Sequence, residues 1–127
     1  MSIRFTSSLL AVLAVSSALA QNTPPTEYPS GSVALANEAI QQRLNGKLFS
    51  AKPADGSAWR FDFKDNGYMY FNTDRGYSDF GPWRIESGQW CVDLKKSGPS
   101  CSDLREKAGQ LYYKRASNGE VLQLLPR

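Results

Sequence analysis

The chain of 127 residues contains no histidine. That absence removes Ser-His and Cys-His nucleophilic pairs, and with them the commonest protein ligand of transition metals. Cysteine is nearly absent too, with only Cys91 and Cys101. A zinc ion would have to rely on carboxylates, and no spaced ligand cluster supports one. Charge of one sign is lacking as well: 15 Lys and Arg stand against 12 Asp and Glu, a formal balance of +3. So small an excess makes no case for nucleic acid or for an acidic membrane surface. Long apolar runs are also missing. The run from Leu9 to Val15 is far short of the roughly 20 residues that span a bilayer, so no membrane span is expected.

What is present starts with a leader. Arg4 gives a basic start, Leu9 to Val15 an apolar centre and Ala18-Leu19-Ala20 a small-residue end, the pattern of a secretory signal peptide cleaved near Ala20. Loss of Arg4 lowers the balance from +3 to +2. The expected location is therefore periplasmic or secreted. In such an oxidising compartment, Cys91 and Cys101 read as a disulfide. Closing about 11 residues restricts the unfolded chain by roughly 3 kcal/mol in the loop-entropy picture. Residues 21–31 carry Pro24, Pro25 and Pro29 without periodicity and read as a flexible linker. Residues 32–127 then form one domain.

Within that domain, Val33, Ala36, Ile40 and Leu44 recur at spacings of three and four. They predict an amphipathic helix from Ser32, its N-cap, to Leu44, stopped by Asn45-Gly46. The remainder has period two. Leu48 to Ala51 is a short strand; Trp59, Phe61 and Phe63 share one face of the next. Asp65-Asn66-Gly67 reads as a type I′ hairpin turn, returning through Tyr68 to Asn72. Tyr77 to Phe80 and Trp83 to Ile85 read as two separate short strands. Trp90, Val92 and Leu94 alternate with Cys91 and Asp93, so Cys91 faces away from Trp90. Lys95 to Ser100 reads as a polar loop closed by the disulfide, and Ser102 to Gly109 is open between a helical turn and an irregular strand. Leu111 to Arg115 and Glu120 to Leu125 make a last hairpin around Ser117-Asn118-Gly119. The fold class is mainly β: a small antiparallel barrel or sandwich of about seven or eight short strands, with one N-terminal helix and one disulfide.

The helix end Leu44-Asn45-Gly46-Lys47, the turn Asp65-Asn66-Gly67, then Gly81-Pro82-Trp83 and Gly88-Gln89-Trp90-Cys91 before Cys101, form an ordered set. In this the chain resembles small exported proteobacterial proteins of the domain-of-unknown-function type, over most of Leu44 to Leu125. The resemblance implies an exported β-domain without catalytic residues.

Carboxylate pairs are the remaining route to catalysis, and Asp62, Asp65, Asp79, Glu86 and Asp93 are the candidates. Asp65 belongs to a turn, and Asp62, Glu86 and Asp93 fall in the polar phases of strands, so no enzyme is expected. The acids near Asp62 and Asp65 lack the spacing of a calcium loop, and no cofactor is indicated. Aromatics suggest binding instead. Tyr68, Tyr70, Tyr77, Tyr112 and Tyr113 could line a ligand or face a partner, with Arg60, Arg75 or Arg84 near an anionic group. Tyr112-Tyr113-Lys114-Arg115 also has the make-up of a base-stacking strip, but export and weak charge argue against nucleic acid. Lys95 and Lys96, on a disulfide-braced loop, could be presented to a cell-envelope enzyme. The expected function is thus a monomeric, non-catalytic binding domain for a small ligand. Inhibition of an envelope enzyme by residues 95–100, or a structural or stress role in the envelope, are the alternatives.

Overall fold

The computed structural model describes residues 23–127. The expected signal peptide, residues 1–20, and the start of the expected linker lie outside them. Ten strands and one helix follow in order: β1 Val33–Ala34, α1 Asn37–Leu44, β2 Leu48–Ala51, β3 Trp59–Phe63, β4 Tyr68–Thr73, β5 Ser78–Glu86, β6 Gln89–Leu94, β7 Gly98–Asp103, β8 Arg105–Lys107, β9 Gln110–Lys114 and β10 Val121–Pro126. They form one antiparallel sheet in the order β1-β8-β9-β10-β2-β3-β4-β5-β6-β7, coiled into a nearly closed barrel. Ten strands exceed the seven or eight expected from periodicity, and each difference has a local cause.

The helix does not begin at Ser32. Ala36 occupies the N-cap, and Val33–Ala34 pair with Glu106 and Arg105 along the outer edge of β8. Val33 is 64% exposed, so backbone pairing and not its apolar side chain places this stretch. The stop at Asn45-Gly46 does occur, with Gly46 at φ +72. Ile40 and Leu44 are fully buried. Burial of that kind contributes about 1.5–3 kcal/mol per side chain and docks a helix too short to persist alone.

At residues 64–68 the expected type I′ turn is replaced by a three-residue connection. Only Gly67 has positive φ, and the Asn66 side chain accepts the Tyr68 N–H at 3.1 Å. Two-residue turns with positive φ at both positions occur instead at Ser87-Gly88 and Ala108-Gly109.

The two short strands expected on either side of Gly81-Pro82 are one strand, β5. Residues 78–82 pair with β4 and residues 83–86 with β6. Proline, lacking an N–H, sits where the strand changes partner. Gly81 is where it crosses its neighbour: a Cβ there would lie 1.9 Å from the Asp93 carbonyl oxygen.

The polar stretch Lys95 to Ser100 is a tight turn leading into β7, not a projecting loop. Cys91 and Cys101 stand directly opposite each other in the β6–β7 ladder and are joined by the disulfide, Cα atoms 4.0 Å apart. β7 continues through buried Leu104 into β8, which pairs with β9. At the seam between β7 and β9, the Ser102 hydroxyl accepts the Lys114 N–H (3.3 Å) and reaches the Lys114 carbonyl at 3.1 Å.

The residues read as a linker also make definite contacts. Pro25 accepts the Val121 N–H at 2.7 Å, and the Tyr28 ring lies under Arg105 (4.7 Å) and Lys114 (5.3 Å). No helix among the described residues is long and apolar enough to cross a membrane.

The barrel has two unlike ends. At one, α1 packs close to the β5–β6 and β8–β9 turns: Asn37 accepts the Gly88 N–H at 2.6 Å, and Arg43 pairs with Glu106 and donates to the Gly109 carbonyl. Ile40 and Leu44 join Phe49, Phe63, Trp83 and Leu104 in the core there. At the other end, hairpin alternation gathers the β4–β5, β6–β7 and β9–β10 turns. No helix covers it.

Candidate functional site

That uncovered end holds a cavity of about 560 Å³. Its floor is made by the inward faces of four strands: Phe61, Met69, Trp90, Val92 and Tyr113. They converge because period-two alternation turns every second residue of β3, β4, β6 and β9 to the interior. Trp59 and Phe71 form one wall, edge to face at 5.1 Å. The rim is polar and comes from the turns and adjoining strand residues: Thr73, Tyr77, Ser97, Ser100, Arg115 and Ser117.

Two buried carboxylates hold this rim. Asp79, 4% exposed, accepts the backbone N–H groups of Phe80 (2.8 Å), Lys96 (3.1 Å) and Ser97 (2.9 Å) and the Tyr77 hydroxyl (2.9 Å). Burial pushes its carboxyl up, but the Ser97 and Lys96 amides, the Tyr77 hydroxyl and the Phe80 amide more than reverse that. The net result lies well below the usual carboxylate range. Tyr77 also shares a hydrogen bond with the Ser97 hydroxyl. The β6–β7 turn is therefore fastened to β5 by one side chain.

Glu120, 3% exposed, does the same for the opposite rim. It accepts the Ala54 N–H at 2.8 Å and pairs with Arg115 Nη1 at 3.1 Å. The Arg115 guanidinium lies 4.4 Å from the centre of the Trp59 ring. Nearby, burial raises the Tyr113 hydroxyl far above its ordinary value; Arg115 opposes this and Glu120 adds to it, and the phenol stays neutral.

The residues proposed from sequence fall in three places. Tyr77 and Lys96 meet at the cavity mouth, the ammonium 5.6 Å from the ring centre, and Lys96 also donates to the Ser78 carbonyl. Lys95 is exposed on the same turn. Arg75 leaves the mouth for Asp55, bonding its carbonyl at 2.8 Å. Tyr68 and Tyr70 lie on the outer wall, each 40% exposed, flanking Phe80 at 42%. Tyr70 stacks on Phe80 at 5.6 Å and 14°. Outside and inside are thus distinct sets: strand phase separates Tyr68 and Tyr70 from the cavity that Tyr77 borders. Arg60 and Arg84 point outward, and Arg84 is engaged by Glu86 and Asp93.

Glu120 was not singled out from sequence, and Arg115 only as the end of the strip Tyr112-Tyr113-Lys114-Arg115, not as a cavity residue. A signal existed, because Arg115 continues the inward phase of Leu111 and Tyr113. No protein-family model, curated protein or solved structure matches the chain.

Proposed function

We propose that the chain is an exported, non-catalytic, monomeric domain that binds a small amphipathic ligand in the open end of its barrel. One observation carries this reading: a cavity of about 560 Å³ with an aromatic floor and a polar rim. That is the size and make-up of small-molecule sites, which combine an apolar lining with a few placed polar groups. Both buried acids near the mouth have their oxygens committed to N–H and O–H donors, which suits a fixed rim better than acid–base chemistry. The cross-strand disulfide supports an oxidising compartment.

The test is titration with 2-naphthol, a neutral aromatic probe, followed by tryptophan emission. Trp59 and Trp90 line the cavity and Trp83 does not. A saturable change that persists in Trp83→Phe and shrinks in Trp59→Phe supports the reading. An unresponsive wild-type protein contradicts it.

The strip of Tyr68, Tyr70 and Phe80 favours a second reading, contact with another envelope protein through the outer wall. A partner retained in native mass spectrometry by the wild type and lost by Tyr70→Ser would support it.

A further inference from the structure

We propose that the ligand of this cavity is an anionic amphiphile, a compact apolar body bearing one carboxylate, with the carboxylate held by Arg115 and the body on the aromatic floor. This rests on the binding reading above and adds the chemical class of the ligand.

Of the residues that line the cavity, Arg115 alone carries a formal charge. It stands at the end of β9, above the floor residue Tyr113, so a body resting on the floor places its head at the guanidinium. The group is held from two sides: Glu120 engages Nη1, and Trp59 supports the planar face. Fixing a guanidinium in this way lowers the ordering cost of binding, since a long side chain loses rotamer freedom when a ligand captures it. Its Nε and Nη2 groups make no hydrogen bond among the described residues, and neither is closed off from solvent. Nε–H and Nη2–H form a planar fork matched to the two oxygens of a carboxylate.

Glu120 offsets part of the charge of Arg115, but it leaves the Nε–H and Nη2–H fork open to an acceptor. Both of its oxygens are already engaged, one by Arg115 and one by the Ala54 N–H, and it is not among the residues lining the cavity. Asp79 likewise spends its oxygens on three amides and a hydroxyl. A cationic ligand would therefore meet no unengaged carboxylate. A neutral one offers the two donors no charged acceptor and leaves them to water. An anion satisfies them, and the apolar surroundings strengthen the attraction.

The experiment compares three probes of one shape by calorimetry near neutral pH, on the disulfide-bonded protein: 2-naphthoate, 2-naphthol and 2-naphthylmethylammonium. Naphthoate should bind about tenfold or more tighter than naphthol, with the cation weakest. In the double variant Arg115→Met/Glu120→Gln the advantage of naphthoate over naphthol should vanish; in Arg115→Lys, which retains charge without the fork, it should fall severalfold. Thermal melting identifies a variant that has not folded, in which case the wild-type ranking and Arg115→Lys decide. Equal binding of naphthoate and naphthol by the wild type, or an advantage unchanged in the folded variants, overturns the anionic class and leaves the binding reading standing. Failure of all three probes overturns both.

Discussion

The carboxylate of Asp79 on β5 accepts the backbone N–H of Ser97 at 2.9 Å, across the wall of the barrel mouth. With the Lys96 and Phe80 amides and the Tyr77 hydroxyl on the same group, this one side chain sets the position of the β6–β7 turn. Asp79→Asn puts an NH₂ group where donors converge. It should cost about 2–4 kcal/mol of stability, measured by urea unfolding.

The same contact has a pH signature. Because the folded carboxyl is held below its ordinary value, its stabilisation is full above about pH 4. It is lost progressively as pH falls through that region towards the depressed folded value. Wild-type stability should therefore fall more steeply than that of Asp79→Asn as solutions are acidified from pH 5. Parallel acid limbs in the two proteins would contradict this.

Gly81 has no room for a side chain. A Cβ would sit 1.9 Å from the Asp93 oxygen and 2.6 Å from its carbonyl carbon, both backbone atoms that cannot rotate away. Gly81→Ala should cost about 3 kcal/mol or more by forcing β5 off β6, whereas Gly76→Ala, in a turn with open space, should cost less. Thermal melts of the pair give the comparison.

The disulfide links residues that the sheet already places side by side, so the fold should survive without it. Cys91→Ala/Cys101→Ala should retain the β-type circular dichroism spectrum and lose about 2–3 kcal/mol in denaturant unfolding. A spectrum of unfolded chain would show instead that the bridge is needed for folding.

Glu120 and Arg115 should be strongly coupled. Glu120→Ala leaves the Ala54 N–H unpaired and Arg115 without its partner, at a cost of about 2–4 kcal/mol, and Arg115→Met leaves a buried carboxylate uncompensated. The double variant Arg115→Met/Glu120→Gln should cost clearly less than the sum of the single changes, which a double-mutant cycle measures directly.

Strand periodicity made the barrel floor legible: the alternation of Trp59, Phe61 and Phe63, and of Trp90, Val92 and Leu94, is the pattern that the interior requires. Where pairing is a matter of backbone and not of side-chain pattern, it was not legible. β1 is held by hydrogen bonds along β8 while Val33 faces solvent, and β7 is polar yet pairs along its length with β6. Tyr68, Tyr70 and Tyr77 look alike in sequence, but strand phase puts the first two outside and a turn puts the third at the mouth. Arg115 stands out in sequence only as the end of Tyr112-Tyr113-Lys114-Arg115, because a charged residue in the inward phase of a strand breaks the apolar pattern that marks an interior. Its stabilising partner, Glu120, reaches it only once the β9–β10 hairpin has closed.

The most direct measurement is an amide NMR titration of the disulfide-bonded protein with 2-naphthoate. Saturable shifts should gather at Thr73, Ser97 to Ser100 and Arg115 to Ser117, around the cavity, with α1 and the outer-wall positions Tyr68 and Tyr70 unmoved. Shifts confined to the Tyr68–Phe80–Tyr70 strip, or none at all, would contradict a ligand site in the barrel mouth.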